Sequence, residues 1–176
     1  IIANAGITMF GEAGSIDKEH RKDLFYLLCN GVIDLIEAYV PNMVKKGKGR
    51  IVIISSIGAI TPMPKSSIYA SAKSAIYSYG QSLSQELSSK NISITVSLPG
   101  YVKTEAHSRA GLDHLREKIP SWMWIDAEKV VSETEEASLK RKSTVIPGKV
   151  YKLVRPFLGM SLSTSIWNKI TKRNKK

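Results

Sequence analysis

The chain has 176 residues, 43% of them hydrophobic and 23% charged, which is typical of one ordinary globular domain or part of one. The formal net charge of +11 arises between Lys140 and Lys176, where eleven Lys and Arg residues and no acidic residue occur. The 15 basic and 15 acidic residues of 1–139 cancel, which argues against a nucleic-acid groove there. Because Cys29 is the single cysteine, an intrachain disulfide is excluded. The three histidines lie on different segments, so no metal site is predicted. The sequence has no uncharged apolar run long enough to predict a membrane-spanning helix.

Short β-branched runs alternate with helical patterns along the chain, which predicts a parallel α/β sheet with right-handed crossovers. The predicted strands are 1–5, 51–55, 92–97 and 143–146. Apolar residues at helical spacing predict helices over 17–45, 67–89 and 126–139. Asp17 or Ser15 is expected to cap the first helix, and Gly47 marks its end.

Polar or glycine-bearing sequences follow three of the predicted strands. They are Asn4-Ala5-Gly6, Ser55-Ser56 and Pro99-Gly100, the last of which opens an irregular segment over 100–122. Open α/β sheets bind ligands beyond the carboxyl ends of their strands. The three strand exits therefore predict the floor of a ligand site at one edge of the sheet.

A serine, a tyrosine and a lysine make the most informative constellation in the chain. Tyr69 follows Ser56 by 13 positions, and Lys73 comes four residues after Tyr69, so that on a helix the last two share one face. An ammonium group beside a phenol favours the phenolate and lowers the phenol's pKa from about 10. Such a phenol can give or take a proton near neutral pH, which suits chemistry on a carbonyl or alcohol.

Five motifs in order resemble the short-chain dehydrogenase/reductase family over residues 1–105. They are Asn4-Ala5-Gly6, Asn30 in Leu28-Cys29-Asn30-Gly31-Val32, Ser56, the Tyr69–Lys73 pair, and Pro99-Gly100-Tyr101-Val102-Lys103-Thr104. The stretches after Thr104 are similar to the poorly characterised, mostly bacterial reductase-like branch of the classical type. The resemblance implies strands 4 to 7 of a Rossmann-like, doubly wound parallel sheet, with the first three strands missing.

The same resemblance implies reversible hydride transfer between a nicotinamide cofactor and a small-molecule carbonyl or secondary alcohol. Tyr69 is then the general acid of the reduction, Lys73 lowers its pKa and binds the cofactor's ribose, and Ser56 donates a hydrogen bond to the substrate oxygen. Asn30 is implied to hold a water that links Lys73 to solvent. The residues implied to contact the cofactor are Asn4, Ala5, Gly6, Tyr69, Lys73, Pro99, Gly100, Val102 and Thr104.

The chain departs from the family at its start, because no Gly-rich, phosphate-binding turn precedes Asn4. We therefore expect a chain truncated at its N-terminus, inactive when taken alone. The choice between NAD and NADP depends on residues that are absent, with NADP slightly favoured. The complete protein is expected to be a cytoplasmic homo-oligomer, such as a dimer. The helical row Ala70, Ser74, Ser78 and Ser82 fits either a partner subunit or a solvated face.

Two regions leave alternatives open. Residues 149–176 form a basic amphipathic segment that follows the partial catalytic domain at 1–148, and it fits either a packed helix or peripheral contact with an anionic membrane. In the second case the fragment would be a non-catalytic interaction module. The family resemblance implies that residues 101–125 set specificity, with His107 facing substrate or solvent and Trp122-Met123-Trp124 forming an apolar lid or core. A serine hydrolase is excluded, since Ser82 lies in a helix without the required glycine.

Overall fold

A parallel sheet forms the centre of the molecule. The structure is a computed structural model and describes residues 1–104 and 119–157. The strands of this sheet are β1 (Ile2–Ala3), β2 (Gly49–Ile54), β3 (Ile92–Ser97) and β6 (Thr144–Val145). Their order is β1-β2-β3-β6, and every neighbouring pair is parallel. The four predicted strands and the α/β fold are confirmed, although β1 and β6 are shorter than the apolar runs.

Two further strands were not predicted, and the first of them lies within 100–122, which was expected to be irregular. β4 (Tyr101–Lys103) and β5 (Trp124–Asp126) pair in parallel as a separate ribbon. A short 3-10 turn, Ser121–Met123, leads into β5. Each strand has only three residues, and its partner is distant in the sequence. Neither therefore shows the local alternation from which a strand is predicted.

The first predicted helix is continuous but changes its winding. It comprises α1 (Lys18–Phe25), a π-helical stretch (Tyr26–Asn30) and α2 (Gly31–Lys46). The Asp17 carboxylate accepts hydrogen bonds from the backbone N–H groups of Glu19 and His20, at 3.0 Å each, which confirms Asp17 as the cap of this helix. Gly47 ends the helix in the left-handed region, at a φ of 62°.

By length and composition alone, the helix Lys18–Lys46 would suffice to cross a membrane, contrary to the sequence-based expectation. Only Asp34 and Glu37 carry a charge between Tyr26 and Val44. Its buried side chains nevertheless recur at every fourth position and pack into the core of this domain; they are Leu24, Leu28, Val32 and Ile36. The opposite face carries exposed apolar residues, which is why the average hydropathy is high.

Two long helices cover opposite faces of the sheet. They are α3 (Ser67–Glu86) and α4 (Ala127–Leu139), and α5 (Lys149–Val154) follows β6. Gly80 brings α3 close to the sheet, since a Cβ there would lie 2.5 Å from Val96 Cγ2. The Ser97 hydroxyl hydrogen-bonds the Thr134 hydroxyl of α4 at 2.8 Å. Adjacent residues of a strand point to opposite faces, so α3 and α4 lie on different sides.

Tyr151 ties α5 to the site edge of the sheet. Its side chain is fully buried, and its hydroxyl donates to the Met123 carbonyl at 2.7 Å and accepts from the Tyr101 N–H at 3.0 Å. The ring fills the space beside Gly100, where a Cβ would lie 1.9 Å from Tyr151 Cζ. The segment that begins at Lys149 thus contributes one residue to the core. The predicted division of the chain into 1–148 and 149–176 stays a prediction, because 158–176 lies outside the described residues.

We expect Tyr151→Phe to lower the free energy of unfolding by about 1–3 kcal/mol. The ring would still pack under Gly100, but the Tyr101 N–H and the Met123 carbonyl would lose their hydroxyl partner. Urea denaturation measures the change. The matched control is Tyr39→Phe, which removes the hydroxyl of an exposed tyrosine. Equal stability of the two variants would contradict the prediction.

Candidate active site

The carboxyl ends of β1, β2 and β3 meet at one edge of the sheet, as the sequence predicts. The β2 and β3 chains stay in register beyond their last paired residues, because the Ser55 N–H donates to the Ser97 carbonyl at 2.9 Å. The Ile57 N–H then donates to the Pro99 carbonyl, also at 2.9 Å. These bonds hold Ser56 beside the Pro99-Gly100 turn. Asn4-Ala5-Gly6 leaves the neighbouring β1 at the same edge.

Hydrogen bonds fasten the first half of α3 to the exit of β2. The Ser55 hydroxyl donates to the Lys73 carbonyl at 2.8 Å, and the Lys73 ammonium donates to the Ile54 carbonyl at 2.9 Å. One residue further along α3, the Ser74 hydroxyl donates to the Ala59 carbonyl at 2.9 Å. Because α3 is fixed here, the face that carries Tyr69 and Lys73 is directed to the strand exits.

Lys73 is a buried lysine with little to stabilise its charge. Its side chain is 6% exposed, and its ammonium lies 5.9 Å from the centroid of the half-buried Tyr69 ring. Burial disfavours the charged form and lowers the pKa of Lys73 to about 8. The ammonium is thus close to its titration range at neutral pH, and a hydrogen-bond acceptor placed beside it would stabilise its charge.

Ser56 has a hydroxyl group whose proton is available. The residue is buried, and its oxygen accepts a hydrogen bond from the Gly58 N–H at 3.0 Å. Within residues 1–104 and 119–157, the structure gives the Ser56 hydroxyl no acceptor of its own. It can therefore donate to an oxygen that enters the site, while the Gly58 bond fixes the position of the Ser56 oxygen.

Gly6 leaves room in front of Lys73. A Cβ at Gly6 would lie 3.7 Å from Lys73 Nζ and 3.2 Å from Leu28 Cδ2. The absence of a side chain at this position keeps the ammonium accessible from the strand-exit side. The space suits a ligand with hydroxyl groups, since the ammonium bonds Ile54 with one of its three N–H groups and can donate with the others.

Asn30 does not take part in this arrangement, which corrects the sequence-based assignment. It is exposed and lines an outer groove together with Lys22 and Tyr26. Leu28, two residues earlier, is buried and faces the Gly6–Lys73 space instead. Residues two apart lie on nearly opposite sides of a helix. The water relay proposed for Asn30 is therefore not supported by the position of its side chain.

Three contributors to the site have no role predicted from the sequence, namely Leu28, the Ile54 carbonyl and Ser55, although Ser55 belongs to a predicted strand exit. The signal for Leu28 was present, since it belongs to the apolar row at every fourth residue that includes Leu24 and Val32. A residue on that row faces the sheet, whereas Asn30 falls off it. Ser55 and Ile54 act through hydrogen bonds to α3 that each join a side chain to a backbone carbonyl, and no sequence pattern predicts such bonds.

The remaining sequence-predicted residues lie on or beside the ribbon. Val102 is half-buried in β4, and Thr104 follows it. Met123 is fully buried, and the Trp124 ring lies tilted against the Tyr101 ring at a centroid distance of 5.6 Å, which favours core packing for Met123 and Trp124. Trp122 is 56% exposed. His107 lies outside the described residues.

Comparison with known proteins places this arrangement in a family. Residues 1–114 match the short chain dehydrogenase family. The human "Dehydrogenase/reductase SDR family member 4" is 30% identical over 142 residues, which cover 80% of this chain and 46% of the relative. A Drosophila melanogaster "Dehydrogenase/reductase SDR family protein 7-like" is 33% identical over 107 residues, which cover 60% of this chain and 32% of the relative. The chain thus spans half or less of the length of these relatives.

Solved structures agree with the fold. A short-chain dehydrogenase from Sphingobium yanoikuyae, in complex with NADPH, is 25% identical, with a TM-score of 0.79 over 97% of this chain and 63% of its own. A gluconate 5-dehydrogenase from Burkholderia cenocepacia, in complex with NADP and tartrate, is 20% identical, with a TM-score of 0.70 over 82% and 61%. The second likeness shows the fold alone. From the family match, which spans more than half of its residues, this chain belongs to the short-chain dehydrogenase/reductase family.

Proposed function

We propose that this chain carries the proton-transfer centre of an NAD(P)-dependent oxidoreductase that interconverts a carbonyl and a secondary alcohol. The observation that carries the proposal is the placement of Ser56 and the Tyr69–Lys73 pair at one sheet edge, in front of the gap at Gly6. A proton donor, a hydrogen-bond donor and a buried cation thus lie around one space. This set suits the stabilisation of an oxygen atom that gains charge.

Each of the three side chains has a distinct role in the proposal. The Tyr69 phenol gives its proton to the substrate oxygen during reduction and takes it back during oxidation. The Lys73 ammonium, held by the Ile54 carbonyl, stabilises the phenolate that forms. The Ser56 hydroxyl, held by the Gly58 N–H, donates to the same substrate oxygen. Asn30 has no role here, since it lies on the outer side of its helix.

The residues at the strand exits fit a nicotinamide cofactor, which supplies or accepts a hydride when bound. A ribose hydroxyl beside Gly6 would accept a hydrogen bond from Lys73, where a side chain at Gly6 would intrude. Asn4, Ala5, Pro99, Gly100, Val102 and Thr104 are proposed to line the rest of the contact. The Sphingobium relative bound to NADPH supports this class of cofactor, with NADP slightly favoured over NAD.

In the complete protein we propose a homo-oligomer in the cytoplasm.

We expect Tyr69→Phe to reduce turnover by about 10²–10⁴-fold, because the proton donor is lost. The assay follows NADPH and NADH oxidation with a panel of ketones and aldehydes, using the protein as its gene encodes it. Cofactor affinity should change little, because Lys73 and Gly6 remain in place.

The matched control is Tyr77→Phe, which removes another tyrosine hydroxyl from the same helix. This variant should keep the wild-type rate. If Tyr69→Phe retained more than a tenth of that rate, the role given to Tyr69 would be wrong.

The pH dependence of kcat/KM should follow the protonation of Lys73. Its lowered pKa, about 8, means that the ammonium is charged below that pH and neutral above it. The proposal needs the charged form, so kcat/KM for reduction should fall as the pH rises through about 8. Lys73→Met should be slow at every pH and lose this step, whereas Lys45→Met, which removes an exposed lysine, should keep it. A step that persists in Lys73→Met would assign the titration to another group.

A second role, peripheral contact with an anionic membrane through 149–176, is favoured by one observation. Leu153 and Phe157 are 77% and 57% exposed, and they lie among the basic residues Lys149, Lys152 and Arg155. Exposed apolar and basic side chains together suit an interface of headgroups and acyl chains. The rest of this segment, 158–176, lies outside the described residues.

If this second role is correct, the protein should sediment with anionic vesicles at low salt and be released at high salt. Leu153→Ser should weaken binding, whereas the control Leu139→Ser, at an exposed residue of α4, should not. No sedimentation at low salt would remove the membrane role without affecting the catalytic one.

A further inference from the structure

We propose that Leu28 is a positioning residue of this site, whose side chain keeps water away from Lys73 on the helix side. The ammonium is left with the Ile54 carbonyl and whatever occupies the space in front of Gly6. The catalytic consequence rests on the proposed function. The shielding itself does not, because it follows from the geometry around Gly6.

The first support is the geometry around Gly6. Leu28 Cδ2 and Lys73 Nζ both lie within 4 Å of the point where a Gly6 Cβ would stand. Leu28 is 1% exposed and Lys73 is 6% exposed, so both side chains border the space at Gly6 from the interior. An isobutyl group offers no hydrogen bond to an ammonium, and its volume occupies space that a water molecule would need.

The second support is the composition of the wall that Leu28 belongs to. Its buried neighbours from the two helices are Leu24, Cys29 and Ala72, and half-buried Met9, Ile68 and Tyr69 are among the side chains packed against them. Apart from the Tyr69 hydroxyl, none of these side chains accepts a strong hydrogen bond. The wall is therefore largely apolar, and the Ile54 carbonyl at the end of β2 is the acceptor that the structure gives the Lys73 ammonium.

The titratable groups near Lys73 do not form an ion pair with it. Tyr69 lies on the same helix, with its ring centroid 5.9 Å from the ammonium. The Cys29 thiol belongs to the apolar wall, and burial raises its pKa, so it stays neutral. In the part of the chain that the structure describes, the ion pairs join other residues and none includes Lys73. The exit of β1 contributes Asn4, Ala5 and Gly6, which do not titrate.

The consequence is that the charge on Lys73 depends on the occupant of the cleft. A ligand oxygen beside Gly6 would add an acceptor that the helix side does not provide, and it would favour the charged form. A polar residue at position 28 would supply such an acceptor permanently. Leu28 therefore makes the protonation of Lys73 sensitive to ligand binding.

The test is a direct titration of Lys73 in the intact protein. Lysine labelled with ¹³C and ¹⁵N is followed by NMR from pH 6 to pH 11, and Lys73→Arg assigns the signal. Leu28→Asn places an amide of similar size beside the space that the ammonium borders, and we expect the Lys73 midpoint to rise by about one pH unit or more towards the ordinary lysine value near 10.4. Leu28→Met, which conserves volume and polarity, should leave the midpoint unchanged.

Two further variants keep the test decisive. Asn30→Leu, the reciprocal change on the outer side of the helix, should not move the Lys73 midpoint. Leu28→Ala should raise it, because the smaller side chain admits water beside a charged group, and this variant answers the question if Leu28→Asn does not fold. An unchanged midpoint in a folded Leu28→Asn or Leu28→Ala protein would overturn the proposal, and so would an equal rise in Asn30→Leu.

The outcome is separable from that of the proposed function. The titration needs neither cofactor nor turnover, so a raised midpoint in Leu28→Asn would support the shielding even if every form were inactive. If the enzyme is active, the pH at which kcat/KM falls should rise in Leu28→Asn together with the midpoint. A purely structural role for Leu28 would lower stability and leave both pH values unchanged.

Discussion

The reciprocal pair of hydrogen bonds between Lys73 and the exit of β2 fixes the rest of the site. The Ser55 hydroxyl reaches the Lys73 carbonyl, and the Lys73 ammonium reaches the Ile54 carbonyl. The Ser55 and Lys73 side chains lie in the interior, where an unpaired polar group is costly. The same pair of bonds thus satisfies both side chains and sets the rotation of α3. Tyr69, one turn before Lys73, points to the strand exits for this reason.

The central strands and the helix ends could be predicted because local sequence determines them. Ile51 to Ile54 and Ile92 to Ser97 are β-branched runs of strand length, and both are central strands. Asp17 and Gly47 have side-chain and backbone chemistry that suits only the ends of a helix. The ribbon of β4 and β5 could not be predicted, since two three-residue strands are stable only through pairing across the chain.

The candidate site could also be predicted only in part. The placement of Ser56, Tyr69 and Lys73 at one sheet edge was predictable because one strand end and one helix face hold all three. The position of Asn30 could not be predicted from its sequence neighbours alone, because the side of the helix on which it lies depends on helical phase. The π-helical winding at this point changes that phase. Tyr151, which packs beneath Gly100 and binds Tyr101, comes from 50 residues away and carries no motif.

A buried lysine with an apolar wall differs chemically from a hydrated one. For a hydrated ammonium, a ligand replaces water and gains little from the charge. For Lys73, which is buried and bonded to the Ile54 carbonyl, a ligand oxygen in the space at Gly6 provides stabilisation that solvent does not. Binding and protonation are then linked, and linkage is reciprocal: a ligand that favours the charged form binds more tightly to it. Because its ammonium is bonded to the Ile54 carbonyl, Lys73 can swing towards solvent only by breaking that bond. The site therefore remains in a state that an acceptor in the cleft can stabilise.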